Sequence, residues 1–301
     1  MAVVLSWNVA GRVALQEDQI EAVLAHGADV VCLQEVTPRS APRWAEALAA
    51  AGYETELSGW PVEPRGLRRL AVLTAARTPL RRLPGPALPW PERHLACEVE
   101  LDDAGVELHN VHAPLSQKAE QVKVRTLEAV FEAVARDDGA PRLIAGDLNT
   151  PRYESRDGEV LTFARTRSGR LRPAYGERHD RAELALIVEL PARGWRDAFR
   201  ALHGYERRDR SWMSAAGYGY RLDHLIASPE LEPVACEYVH EWRTRGLSDH
   251  SAIWTEIRIA TPRPGRASNL KEPVGGSIQT ASGSGWALVP VRVRDGGGRQ
   301  G

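Results

Sequence analysis

The chain has no long apolar run, no surplus of charge of either sign, and few cysteines, methionines or phenylalanines. Each shortage excludes something. Without some twenty consecutive apolar residues, roughly what a bilayer core demands, there is no candidate membrane-spanning helix. The opening Met1-Ala2-Val3-Val4-Leu5-Ser6-Trp7 places no basic stretch ahead of an apolar one, so neither secretion nor a membrane anchor is expected, and a cytoplasmic protein is. With 39 Lys and Arg against 40 Asp and Glu, the formal net charge is -1. No global positive field then advertises a polyanionic partner, and any contact with nucleic acid has to come from local clusters. Cys32, Cys97 and Cys236 lie far apart without metal-ligand spacing, and Cys32 falls in an apolar run, which reads as core thiols. Repeats at solenoid periods are missing too, and no protein partner is evident.

What is present is enough for a large core: 301 residues with 43% hydrophobic content permit one large α/β domain or two small ones. Short runs rich in Val, Leu and Ile recur at 3–5, 30–33, 70–73, 106–111, 143–145, 222–226 and 253–259 and read as strands. Apolar residues return every three or four positions at 17–26, 43–50, 118–135 and 181–190, which predicts helices. Strands outnumber helices, so a pair of sheets flanked by helices fits better than an alternating barrel. Residues 151–180 show little periodicity and read as a long functional excursion. From residue 261 the chain is rich in Gly, Ser, Pro and Arg, which predicts a folded domain over 1–260 and a flexible tail over 261–301.

The chemistry is signalled by position. Polar residues stand where apolar runs hand over to loops: Asn8, Gln34-Glu35, His112, Asp147 and Asn149, and Asp249-His250 ahead of the last strand. A carboxylate at a buried strand end is costly unless it is paired, hydrogen-bonded or bound to a cation. Glu35, Asp147, Asp223 and Asp249 together therefore point to a cation, and an all-oxygen set suits Mg²⁺ or Mn²⁺. Phosphodiester hydrolysis needs such a site, because the metal neutralises charge on the phosphoryl group while a base orients water. Each residue also has a plainer reading. Asn8 can cap a turn, Glu35 can be a paired surface carboxylate, Asp147 through Pro151 can be an Asx turn, and Asp223 with Asp249-His250 can be a structural ion pair. His224 and His109 fall on the faces opposite Asp223 and His112, whereas Asn110 shares the face of His112.

Three basic clusters complete the pattern: Arg65, Arg68 and Arg69; Arg165, Arg167, Arg170 and Arg172; and Arg207, Arg208 and Arg210 ahead of Ser211-Trp212. They would contact phosphates without reading sequence, with Trp212 or Tyr220 stacking on a base or sugar. The competing reading is a solvated charged face.

Ser6-Trp7-Asn8-Val9, Leu33-Gln34-Glu35, Gly146-Asp147-Leu148-Asn149-Thr150-Pro151, Arg221-Leu222-Asp223 and Ser248-Asp249-His250 occur in this order, and so arranged the chain resembles the endonuclease/exonuclease/phosphatase superfamily over residues 3–259. The resemblance implies a four-layer α/β sandwich of two mixed β-sheets flanked by helices, as in DNase I, with the site at one edge. It implies that Glu35 holds the metal with Asn8 and Asp249, that Asp147 handles the attacking water, and that Asn149 holds the phosphate. It likewise implies that His250, oriented by Asp223, and His112 stabilise the transition state. Asp197 through His203, Ser211-Trp212 and Tyr220 through Asp223 are similar to the exonuclease III and apurinic/apyrimidinic endonuclease subgroup, which implies DNA as the substrate and a DNA-repair setting. The chain departs from that subgroup at Val36-Thr37 and at His112-Ala113-Pro114-Leu115, where Leu115 cannot hydrogen-bond a phosphate and Ser116 or Gln117 would have to substitute. Candidates for substrate contact are Arg68, Arg69, Ser116, Gln117, Arg172, Trp212 and Arg221. A phosphomonoesterase or small-molecule phosphodiesterase would share these core motifs, and a non-catalytic nucleic-acid-binding protein is the third reading.

Overall fold

Strict alternation in the first strand, Ala2–Asn8, sets the layering. Ala2 and Val4 pack inward among residues of both sheets, whereas Leu5 and Trp7 pack outward among helix residues. The computed structural model describes residues 1–61, 69–115 and 121–261. Arg65, Arg68, Ser116, Gln117 and all but the first residue of the expected tail lie outside them.

Twelve strands form two six-stranded sheets. The first runs in the order Leu231–Val239, Ala252–Ile259, Ala2–Asn8, Val30–Val36, Ala71–Ala76, Glu54–Leu57. The second runs Arg196–Asp197, Asp223–Ala227, Arg142–Asp147, Ala104–His112, His94–Leu101, Leu80–Arg82. Each is mixed, with one parallel pair: Ala2–Asn8 beside Val30–Val36, and Ala104–His112 beside Arg142–Asp147. Between the sheets, Val4, Val30, Cys32, Val106, Leu108, Leu143, Leu225 and Ile253 make one core. Outside them, Gln16–His26 and Ala41–Ala50 cover the first sheet through Ile20, Val23, Trp44 and Leu48. Val122–Val134 and Gly176–Leu184 cover the second through Val124, Leu127, Phe131 and Ala182. This is the expected four-layer sandwich.

Five strands of the two sheets go beyond the expected set, two of them the short pieces Leu80–Arg82 and Arg196–Asp197. Glu54–Leu57 is a short edge strand. Leu231–Val239 carries Pro233 and a register shift between Pro233 and Ala235, and a proline of this kind is tolerated on an edge. His94–Leu101 does alternate, with Leu95, Cys97, Val99 and Leu101 buried. The excursion 151–180 is more ordered than its composition suggests. Tyr153–Glu154 pairs with Val160–Leu161, Arg165 is ion-paired to Asp180, and the helix Gly176–Leu184 starts inside the excursion before passing into a π-helical turn, Ala185–Glu189.

All three cysteines are buried and free, as expected of core thiols. A small polar patch interrupts the inter-sheet core: Gln34 Nε2 donates to Asn110 Oδ1 at 2.9 Å and to Ser6 Oγ at 3.1 Å, while Asn110 Nδ2 donates to the Leu73 carbonyl at 2.9 Å. Asn110 belongs to one sheet and its partners to the other, so the bonds pin the sheets in one alignment.

Candidate active site

The pinned alignment brings the ends of the two parallel pairs together. On the second sheet, His112 is in register with Asp147, and Asp147 with Asp223, so three neighbouring strands present these residues in a row. On the first sheet, Asn8 ends its strand opposite Gln34. Gly146 makes the row possible. Its φ is 141°, and a Cβ there would stand 1.9 Å from the Val111 carbonyl oxygen, so only glycine lets the two strands close up ahead of Asp147.

Glu35 reaches the site through a local irregularity. Alternation from Cys32 and Gln34 would send Glu35 to the opposite face of the sheet, but pairing shifts between Leu33 and Val36, and Glu35 adopts a left-handed backbone with φ 59°. Bulges re-aim side chains in this way beside active sites. Its carboxylate then lies 3.6 Å from His112 Nε2 and accepts from Asn8 Nδ2 at 3.3 Å.

Asp147 is the centre of the constellation and is 1% exposed. Its Oδ1 accepts from the Asn149 backbone N–H at 2.9 Å, and its Oδ2 accepts from Asn8 Nδ2 at 3.0 Å. The Asx turn is therefore real, and it coexists with a second oxygen that faces His250 Nε2 at 3.8 Å and His112 Nε2 at 3.9 Å. Burial raises Asp147 to about 7, and the nearby Asp223 charge adds to this against the pull of His250. His250 donates from Nδ1 to Asp223 Oδ2 at 2.8 Å. Burial disfavours the charged ring, but the carboxylates of Asp223, Asp147 and Asp249 outweigh it and raise His250 to about 10. His112 behaves in the opposite way. Burial, then the charges of Arg93 and His250, drive its pKa well below the usual histidine range, so it is a neutral ring.

Asp147, Asp223 and His250 each offer a ligand atom within 4.8 Å of the others. A ring that keeps its second proton at neutral pH and spends Nδ1 on Asp223 is nevertheless a poor cation ligand. Glu35 suits a cation better, because only Asn8 hydrogen-bonds it among the described residues, and Asp249 faces the same cavity. Asp249 is fixed by Trp212, whose Nε1 donates to its Oδ2 at 2.9 Å. Asn8 fits the metal role less well. Its Oδ1 accepts from the Ala10 N–H at 2.9 Å while its amide hydrogens face Glu35 and Asp147, so it draws those two carboxylates together. Asn149 likewise spends its amide on the Ala113 carbonyl at 2.7 Å and on Asp147 at 3.4 Å, which orients Asp147 and leaves no free N–H for a phosphate.

Glu35, His112, Asp147, Asn149, Asp249 and His250 floor a cavity of about 660 Å³ whose walls include Trp90, Phe163, Tyr175, Trp212 and Tyr220. The rings of Trp212 and Tyr220 are parallel to within 1° at 5.8 Å. Arg172 stands over the Tyr175 ring at 5.9 Å, and Arg69 is exposed. Arg221 is a correction. Its guanidinium is 3% exposed and held by Glu154 at 2.7 Å and Asp197 at 2.9 Å, away from the cavity. Arg165 and Arg207 are also committed, to Asp180 and Glu237. His224 donates to Asp197 and to the Thr150 carbonyl, and His109 contacts Glu107 and His94, so both are structural as expected.

Two further cavity residues, Lys123 and Arg93, are not among those that the sequence singles out. Lys123 donates to the Asn149 carbonyl at 2.7 Å and pairs with buried Glu183. Arg93 reaches His112 Nδ1 at 2.5 Å. Arg93 also stands at a strand end, directly ahead of His94–Leu101, so recognition of that strand would have pointed to it.

The chain matches the family model described as "Endonuclease/Exonuclease/phosphatase family" over residues 5–250. No curated protein matches it by sequence. Among solved structures it is similar to an AP endonuclease from Archaeoglobus fulgidus, at 20% identity and TM-score 0.66 over 86% of this chain and 100% of the other. A 3' phosphatase, NExo, from Neisseria, bound to product DNA hairpin, gives 20% identity and TM-score 0.61 over 86% and 100%. The APE2 catalytic domain of Xenopus laevis gives 18% and 0.61 over 87% and 94%. These likenesses establish the fold, and the family match spans most of the chain: the protein belongs to the endonuclease/exonuclease/phosphatase family and is an enzyme acting on phosphate esters.

Proposed function

We propose that the protein hydrolyses phosphodiester bonds of DNA in one step at this site, using Mg²⁺ or Mn²⁺. One observation carries the reading: a row of His112, Asp147 and Asp223 from one sheet meets Glu35 from the other, with His250 against Asp147 and Asp223. A divalent cation, when bound, supplies neutralisation of the phosphoryl charge. Glu35 and Asp249 would hold it, and both are cavity carboxylates with oxygen to spare. Asp147, fixed by Asn8 and Asn149, orients the water and takes its proton, a task for which a pKa of about 7 is well matched. His250 keeps its charge through Asp223 and faces the growing negative charge, while neutral His112 donates one hydrogen bond. DNA is favoured by the aromatic wall of Trp212 and Tyr220, a surface on which a base or sugar can stack. The similar AP endonuclease and DNA-bound 3' phosphatase support the same substrate class.

The test is cleavage of end-labelled duplexes, one intact, one with a single abasic-site analogue and one with a 3' phosphate, in Mg²⁺, in Mn²⁺ and in EDTA. Metal-dependent strand cleavage, lost about a thousandfold in Glu35→Ala and Asp147→Ala, is the expected result. Removal of the 3' phosphate alone would make the enzyme a phosphomonoesterase. Full activity in both variants would sink the assignment.

A further inference from the structure

Among the described residues, Arg93 is a buried cation at the site with no counter-ion in contact. Arg93 closes the short turn Pro91–Arg93, is 9% exposed and lines the cavity beside Glu35, His112 and Asp147. Burial works against its charge, and Glu35, Glu92 and Asp147 act on it through Coulomb attraction. Its Nε is buried without a hydrogen-bond partner among the described residues. A buried guanidinium left in this state is costly, so its placement calls for a reason.

The reason lies in the bond that it does make. Nη1 lies 2.5 Å from His112 Nδ1 and 3.4 Å from Nε2, so the short contact is to Nδ1. A guanidinium has five N–H donors and no acceptor. The partner nitrogen must then offer a lone pair, and Nδ1 of His112 carries no proton. A neutral imidazole has one proton, which stands on Nε2, the nitrogen that faces Glu35 Oε1 at 3.6 Å and Asp147 Oδ2 at 3.9 Å. The ring cannot flip to exchange its nitrogens without losing Arg93.

We infer that Arg93 is a positioning residue: it holds His112 as a one-proton donor, with Nε2–H aimed into the site and Nδ1 held bare. This rests on the proposed phosphoryl chemistry for its purpose, although not for its geometry. The ring then gives a hydrogen bond to a phosphoryl oxygen and has no second proton to release. An entering phosphate also gives the unpaired part of the guanidinium an anion, so charge compensation at Arg93 arrives with the substrate.

The experiment uses ¹⁵N-histidine-labelled full-length protein in EDTA at one neutral pH, with the His112 signals assigned by their loss in His112→Gln. The expected spectrum shows a bare Nδ1 and a protonated Nε2. Arg93→Met should give an Nδ1–H signal, and Arg93→Lys, which still donates, should restore the bare Nδ1. In kinetics on a cleaved substrate, Arg93→Met should lose about a hundredfold in kcat with a smaller change in KM, and Arg93→Lys should recover about tenfold of that. An Nδ1–H in the unsubstituted protein overturns the inference, and if Arg93→Met does not fold this spectrum and that of Arg93→Lys still decide. A raised KM with unchanged kcat also overturns it, because Arg93 would then be a phosphate ligand alone. Absence of turnover on every phosphate ester would sink the functional reading instead and leave the Nδ1 assignment standing.

Discussion

Asp147, the carboxylate proposed to take the proton of the attacking water, illustrates at residue scale how a buried site group can destabilise the protein that houses it. Its folded pKa of about 7 stands above the ordinary carboxylate value of 3.8, so it contributes stability that is present at acidic pH and is lost as pH rises from about 4 through 7. Asp147→Asn mimics the protonated form and should abolish turnover while removing that loss. Urea titrations of the metal-free protein at pH 5 and pH 8 should show the wild type losing on the order of 1–3 kcal/mol more than the variant. Equal pH dependence in the two would contradict the raised pKa. Arg221 makes the complementary case. Burial alone would raise Glu154, but Arg221 and Arg200 bring it down to about 2, and Asp197 is held low in the same cluster. Arg221→Met should therefore cost about 3–5 kcal/mol of stability, measured by denaturant midpoint, with KM nearly unchanged in the protein that remains folded. A large rise in KM without loss of stability would restore Arg221 as a substrate contact.

Elements explain what the sequence could and could not reveal. Asn8, Glu35, Asp147, Asp223, Asp249 and His250 were all legible, because strand ends in apolar runs are easy to see and charged residues there demand an explanation. The direction of Glu35 was not, since simple alternation puts it on the wrong face and only the irregularity between Leu33 and Val36 corrects this. Arg93 is hidden because Glu98 and Glu100 interrupt the apolar run of His94–Leu101, so the strand it precedes does not stand out. Arg221, Arg165 and Arg207 misled for a different reason: composition shows a cation without showing the carboxylate that a distant segment brings to it. The motif stretch Asp197–Asp223 shares this property, for Asp197 caps the helix Ala198–His203 and anchors His224, so part of the similarity to nucleases lies in scaffolding. Gly146 gives an element-scale prediction. Gly146→Ala would force the Arg142–Asp147 and Ala104–His112 strands apart, costing about 2–5 kcal/mol and displacing Asp147 from His112. Thermal unfolding with wild-type stability would rule out the close approach.

At the scale of the whole molecule, the site belongs to neither sheet alone. Glu35 comes from the first and Asp147 and Asp223 from the second, while Gln34 and Asn110 hold the two in alignment beneath them. A cation bound by Glu35 and Asp249 should stabilise the native state as any native-only ligand does, by about 2.7 kcal/mol at a concentration 100 times its Kd. Calorimetry with added Mn²⁺ should show this rise in the wild type and not in Glu35→Ala. A site shared across a seam also makes turnover a gauge of how the two halves dock. Slippage by a single residue along a strand is about 3.3 Å, comparable with every distance in the constellation. In mild denaturant, catalysis should thus fade while the far-ultraviolet signature of helices and sheets persists, which makes the enzyme a reporter of its own loosening before it unfolds.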